Sequence, residues 1–274
     1  MPSVLYFMQY GTEDGDSNTQ QFLSNYLSRM KATSPLNGKQ MVHIGQILEV
    51  ILARIRYDPM YQGPLNIPGT VGKDEEENMV EDRKGLFQLF RSTSHVAPDI
   101  TQSFVKNTLA ATLGSSETSF EDIEASISLF YALGEGVSEE TMKNDNGPIG
   151  EIIQLLLSAQ VPFHSHRVVA LIYLETITRY VRFVQQHVEY IPLVLSAFLD
   201  QRGIHHPNQD VSGGASYLFM RIVKALRAQL VPFIDEILQV WLLLISLSRY
   251  YVWQVQSLVP TYFLTNYGGC FHIY

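Results

Sequence analysis

The sequence predicts an all-α protein made of repeated antiparallel helix pairs, and three observations lead there. Apolar residues recur at three- and four-residue spacing nearly throughout, and no strict alternation survives beyond a few residues. Alternate helices begin near 77, 119, 165 and 209, at intervals of 42, 46 and 44 residues, with an interleaved set near 41, 98, 148, 189 and 232. The breaks between them fall at proline and glycine, as at Asn146-Gly147-Pro148, Val161-Pro162, Tyr190-Ile191-Pro192, Gly203 to Pro207 and Val231-Pro232. A helix pair recurring every 40 to 47 residues or so is the HEAT/armadillo period, so the prediction is a HEAT-repeat solenoid. An evenly long helix bundle is the alternative.

The elements follow in order. Met41, Ile44, Leu48, Ile51 and Ile55 make one apolar stripe over 41–57, which Asp58-Pro59 ends. Residues 58–76 hold Pro59, Gly63, Pro64, Pro68, Gly69 and Gly72 and then enter the acidic run Asp74 to Glu77, which predicts a long exposed loop. Val80, Phe87, Leu89 and Phe90 carry the helix 77–93. Pro98 suits a first turn and opens 98–114, with Ile100, Phe104, Val105, Leu109 and Leu113 on its stripe. Ser119 and Asp122 resemble a capping box ahead of 119–135. Helices over 148–160, 165–187, 189–200, 209–228 and 232–248 complete the array. In HEAT pairs the second helix lines the concave side, and here 77–93, 119–135, 165–187 and 209–228 are the predicted second helices. The predicted organisation is a helix remnant and linker over 1–14, repeats over 15–248 and an aromatic tail over 249–274.

Composition narrows the function classes. The chain has 274 residues and a net charge of −8, which argues against a plain nucleic-acid-binding domain. The charge is uneven, however. Residues 161–230 carry seven Lys/Arg against four Asp/Glu and five of the eight histidines, whereas residues 1–160 carry 11 against 21. The longest apolar run, Ile237 to Ser248, is far short of the roughly 20 residues of a membrane span, so no membrane insertion is expected. The start lacks a basic segment typical of a secretory signal, and the single cysteine, Cys270, excludes an internal disulfide framework.

Chemical motifs are sparse. His164, His166, His187, His205 and His206 show no zinc-type spacing, so no metal is expected. No phosphate-binding Gly-rich loop ending in Lys-Ser/Thr occurs, and no nucleophile–base arrangement accompanies Cys270, so neither an enzyme nor a cofactor is expected. What stands out is cationic. Arg83, Lys84 and Arg91, then Arg179 and Arg182, then Arg221, Lys224 and Arg227 all fall on predicted second helices, and so on the predicted concave face. Cations on a rigid curved frame suit folded RNA, which proteins read mainly through shape, phosphate and 2′-hydroxyl contacts. Ordinary solvated charge on amphipathic helices is the competing account of the same residues.

The run AFLDQRGIHHPNQDVSGGASYLFMRIVKALRAQLVPFIDEIL (197–238), with ETITRYVRFV (175–184) and EDIEASISLFYALGEGV (121–137) upstream, resembles the exportin-T family of nuclear export receptors for tRNA. NMVEDRKGLFQLF (78–90) fits as well, although the family more usually has Phe at Met79 and Tyr at Asp82. The resemblance covers roughly 15–240, is strongest to the middle of the family, and fades after Val240. It implies a karyopherin built of HEAT repeats that binds tRNA together with the GTPase Ran in its GTP form, contacts nuclear pore proteins, and shuttles between nucleus and cytoplasm. The family's chains are several times longer, and their Ran-binding repeats have no counterpart in this reading. A truncated product that does not export alone and that associates through its apolar end is therefore expected, and a HEAT scaffold binding only protein is the alternative function.

Overall fold

The structure, a computed structural model, describes residues 13–32, 35–143, 147–235 and 237. The chain divides into two compact units, residues 1–225 and 226–274. The described residues are helical, with no strand among them. In the first unit they form α1 (Glu13–Ala32), α2 (Gly38–Ile55), a 3-10 turn Pro59–Tyr61, α3 (Gln62–Asn66), α4 (Lys73–Val96), α5 (Pro98–Gly114), α6 (Phe120–Leu133), α7 (Glu139–Lys143), α8 (Pro148–Ser158), α9 (Arg167–Arg179), α10 (Val181–Gln186), a 3-10 turn Val188–Tyr190, α11 (Ile191–Leu199) and α12 (Gln209–Ala225). In the second unit, a 3-10 turn spans Val231–Phe233. Most of the predicted helix 232–248 and all of the 249–274 tail lie outside the described residues, as do 1–12.

The first unit is a HEAT-like stack of two rows. Helices α2, α5, α8 and α11 pack on one another in one row, and α1, α4, α6, α9 and α12 in the other. Helix α1 packs on α4, so it occupies the place of a second helix in a pair. The pairs themselves close through α2 on α4, α5 on α6 and α11 on α12. Row helices thus bury their apolar faces on their row neighbours and, in these three pairs, on their partners, which is how a repeat array gains stability.

Local chemistry sets most helix starts. Asn37 caps α2: its side chain accepts from the Gln40 amide at 3.0 Å while Gln40 accepts from the Asn37 amide at 2.8 Å, a complete capping box. The helix therefore begins three residues before the predicted 41. Its buried stripe is Ile44, Ile47, Leu48, Ile51 and Ile55, whereas Met41 is exposed. Full burial of each such side chain is worth about 1.5–3 kcal/mol. Ser119 Oγ accepts from the Asp122 amide at 3.3 Å and donates to the Asp122 carboxylate at 2.7 Å, which starts α6. Pro98, Pro148 and Pro192 sit in first turns, where a missing N–H costs nothing. The predicted helix 165–187 is instead two helices with a break at Tyr180. That ring is buried, stacks on Phe130 at 4.3 Å and donates its hydroxyl to the Phe130 carbonyl at 2.8 Å, so packing fixes the bend.

The predicted loop 58–76 is largely structured. Its acidic run lies in the first turn of α4, where carboxylates favour the positive end of the helix dipole. Ahead of it, Leu65 and Val71 are buried, and the segment straps onto repeats far along the chain. Arg167, at the start of α9, donates its amide to Asn66 Oδ1 at 2.8 Å and its Nε to the Leu65 carbonyl at 2.7 Å, and pairs with Glu76 at 2.6 Å. Asn208 donates to the Asn66 carbonyl at 3.2 Å.

Two of the five histidines of the predicted basic stretch, His166 and His206, belong to this framework. His166 Nε2 donates to the Gln62 carbonyl at 2.7 Å, and its ring stacks on Phe120. His206 Nε2 donates to the Ser165 carbonyl at 3.1 Å while its Nδ1 accepts the Asn208 amide at 3.0 Å, which requires a neutral ring. Burial holds both imidazoles below their usual pKa. The unfolded chain therefore takes up protons first, so this contribution to stability is full above pH ~6.5 and is lost progressively as pH falls from there through the lower folded-state pKa values. The melting temperature should fall between pH 7 and 5.5, and His206→Gln with His166→Gln should flatten that dependence. A pH-independent transition would contradict this.

Candidate nucleic-acid interface

The predicted cations separate into three environments. Arg83 points into the second-helix row rather than outward. Its Nη2 reaches both carboxylate oxygens of Glu124, at 3.0 and 2.7 Å, and its guanidinium lies 4.4 Å from the Tyr57 ring centroid and 5.4 Å from that of Phe87. Ser128 donates to the same carboxylate at 2.7 Å. Burial opposes the charge on Arg83, and Glu124 and Tyr57 more than offset it. With its side chain 11% exposed, Arg83 joins the neighbouring helices α4 and α6 within the second-helix row and does not stand on an exposed cationic face, contrary to the expectation from sequence. The neighbouring Lys84 is exposed and pairs with Glu81.

Arg91 and Arg179 form the second environment, at the C-terminal ends of α4 and α9. Between them, just beyond the end of α6, lies Glu135. Arg91 Nη1 donates to Glu135 Oε2, and Arg179 Nη2 reaches Glu135 Oε1 at 3.5 Å. The three side chains are 37%, 33% and 24% exposed, so the group faces solvent. The Arg179 guanidinium carbon lies over the Tyr131 ring, 3.8 Å from its centroid, a cation–π arrangement. Gly134 permits this approach, because a Cβ there would stand 2.8 Å from Arg179 Cδ and from the Tyr180 hydroxyl.

The third environment is α10 and the end of α12. Arg182 is exposed and donates to Gln185 at 3.0 Å. Arg221 and Lys224 are exposed on α12, opposite the buried Leu218 and Ile222. Glu175, at the surface of α9, has its carboxyl raised by partial burial and drawn back down by Arg179 and Arg221. Cations and carboxylates therefore alternate along the second-helix row as Arg91, Glu135, Arg179, Glu175 and Arg221. Arg227 belongs to the second unit and is exposed there.

Sequence reasoning singled out the cations and missed Glu135, Glu175, Tyr131 and Gly134. A signal for one of them was present: Arg91, Glu135 and Arg179 stand 44 residues apart in turn, the repeat period itself.

Stacked HEAT-like helix pairs are what the exportin-T resemblance implied, and the sequence profile of that family matches residues 1–249. The chain belongs to the exportin-T family. The match reaches before residue 15 and past Val240, so the family pattern is wider at both ends than the phrases first suggested. Similar proteins include exportin-T of Arabidopsis thaliana, 52% identical over 240 residues, and exportin-T of Oryza sativa subsp. japonica, 46% identical over 241 residues. Exportin-T of Homo sapiens is 30% identical over 243 residues. The alignments cover 87%, 87% and 86% of this chain. The chain spans about a quarter of the length of these relatives, 24% of each. Cys270 lies outside the described residues. Among the described residues, no helix is long and apolar enough to cross a membrane, and no group of three or more His, Cys, Asp or Glu side chains is placed to hold a metal.

Proposed function

We propose that this chain is a tRNA-binding segment of a nuclear export receptor that carries tRNA from nucleus to cytoplasm and acts without catalysis of its own. Membership of the exportin-T family supports the receptor class, and the exposed cations along the second-helix row support the ligand. Arg91, Arg179, Arg182, Arg221 and Lys224 are the proposed phosphate contacts. Lys84 is peripheral to them. Arg227 is a separate candidate on the second unit. Ran in its GTP form and nuclear pore proteins are proposed partners of the whole receptor, which would shuttle between the two compartments.

One observation favours a second reading, a protein-binding scaffold: Glu135 and Glu175 interleave with the arginines and reduce the net charge of the ridge. A filter-binding titration of labelled tRNA across a salt series separates the two. Retention that falls linearly on a log–log salt plot, and that weakens with Arg221→Glu and Lys224→Glu, is the result expected of the RNA reading. Absence of retention by the unaltered chain at low salt supports the scaffold instead.

A further inference from the structure

We infer that Arg91 and Arg179 form a phosphate-binding pair that the Glu135 carboxylate occupies in the free protein, so that an RNA phosphodiester binds there by displacing it. The inference rests on the RNA reading above and adds a built-in competitor to it. The geometry is asymmetric in a way a purely structural clamp would not require. Arg91 holds one carboxylate oxygen closely, while Arg179 reaches the other only at 3.5 Å. Arg179 is nonetheless held in place by the Tyr131 face and by the absence of a Cβ at Gly134, and its Nη2 meets Glu135 only at the outer limit of a hydrogen bond. A guanidinium fixed in position with hydrogen-bonding capacity to spare suits a tetrahedral anion, whose oxygens can engage two planar forks at once.

Two things make the exchange feasible. All three side chains are partly open to water, so each ion pair is screened and weak, and a ligand that makes several phosphate contacts can outcompete it. The further exposed cations Arg182, Arg221 and Lys224 on the following helices supply those contacts. Glu135 then sets a threshold: a single anion gains little by displacing it, whereas a folded polyanion gains the whole row.

The test uses the 274-residue chain and labelled tRNA. Glu135→Gln should bind roughly three- to tenfold more tightly, as expected from releasing two partly exposed ion pairs. Its log–log salt dependence should steepen by about one unit, because the interface gains one net positive charge. Glu117→Gln, the same charge change at an exposed position before α6, should stay within twofold of the unaltered chain. Glu135→Asp, which keeps the charge, should stay near the unaltered affinity, and adding Arg179→Gln to Glu135→Gln should abolish the gain. Unchanged or weaker tRNA binding by Glu135→Gln, with the unaltered chain still binding, would overturn the competitor and make Glu135 a clamp. Displacement of tRNA by poly-glutamate at equal charge would overturn the preference for phosphate. Loss of binding by the unaltered chain itself removes the RNA reading and the inference with it.

Discussion

Glu124→Ala should be among the most damaging single substitutions in the first unit, costing about 3–5 kcal/mol by stranding a buried guanidinium. Arg83 and Glu124 join α4 to α6 with side chains only 11% and 3% exposed, and the Arg83 Nε already lacks a partner. Removing the carboxylate deprives Nη2 of both its acceptors and Ser128 of its own, while the ring faces of Tyr57 and Phe87 offer only partial compensation. At roughly 2–4 °C per kcal/mol for a unit of this size, thermal unfolding should shift down by about 10 °C. The pair is not itself a large source of stability, because both charges were desolvated to make it. Replacing both partners with apolar residues of similar volume, Arg83→Met with Glu124→Leu, should recover most of the loss. A Glu124→Ala chain that melts within a degree or two of the original would contradict the buried-pair assignment.

Charge reversal at Arg221 and Lys224 should produce the largest functional effect. Both side chains are exposed on the last helix of the first unit, and no carboxylate among the described residues forms a direct ion pair with either. If both contact phosphate, neutralising them to Gln should flatten the log–log salt slope by about 1.4 to 1.8 units, and reversal to Glu should weaken binding further by repulsion. At low salt the reversed chain should bind tRNA at least about tenfold more weakly, with helix content unchanged by far-UV circular dichroism because neither side chain is buried. Affinity and slope equal to the unaltered chain would assign both residues to ordinary solvent-facing charge.

How much of this was legible in the sequence depends on whether the deciding contact is local. Helix α5 runs over the predicted 98–114 because Pro98 and the Gly114-Ser115 end are signals within the element itself. The break at Tyr180 was not legible. Apolar spacing continues straight through it, and the bend is set by Phe130, 50 residues earlier. The 58–76 segment displayed its turn residues but not its docking sites, since Arg167 and Asn208 lie more than 100 residues on. On α4, Val80 was read as core and Arg83 as surface, and the structure reverses both: Val80 is exposed, and Arg83 is buried because Glu124 waits opposite it. The site followed the same rule. The exposed cations at 221 and 224 were visible on one helix face, whereas Glu135 gains its meaning only when one repeat is laid on the next.

Whether tRNA lies along the second-helix row can be read by lysine footprinting. Lys224 stands on that row, whereas Lys39 and Lys106 stand on α2 and α5 of the other. Saturating tRNA should protect Lys224 from amine acylation and leave Lys39 and Lys106 as reactive as in the free chain. Protection of Lys39 and Lys106 with Lys224 still reactive would place the RNA on the opposite row and rule out binding along the second-helix row.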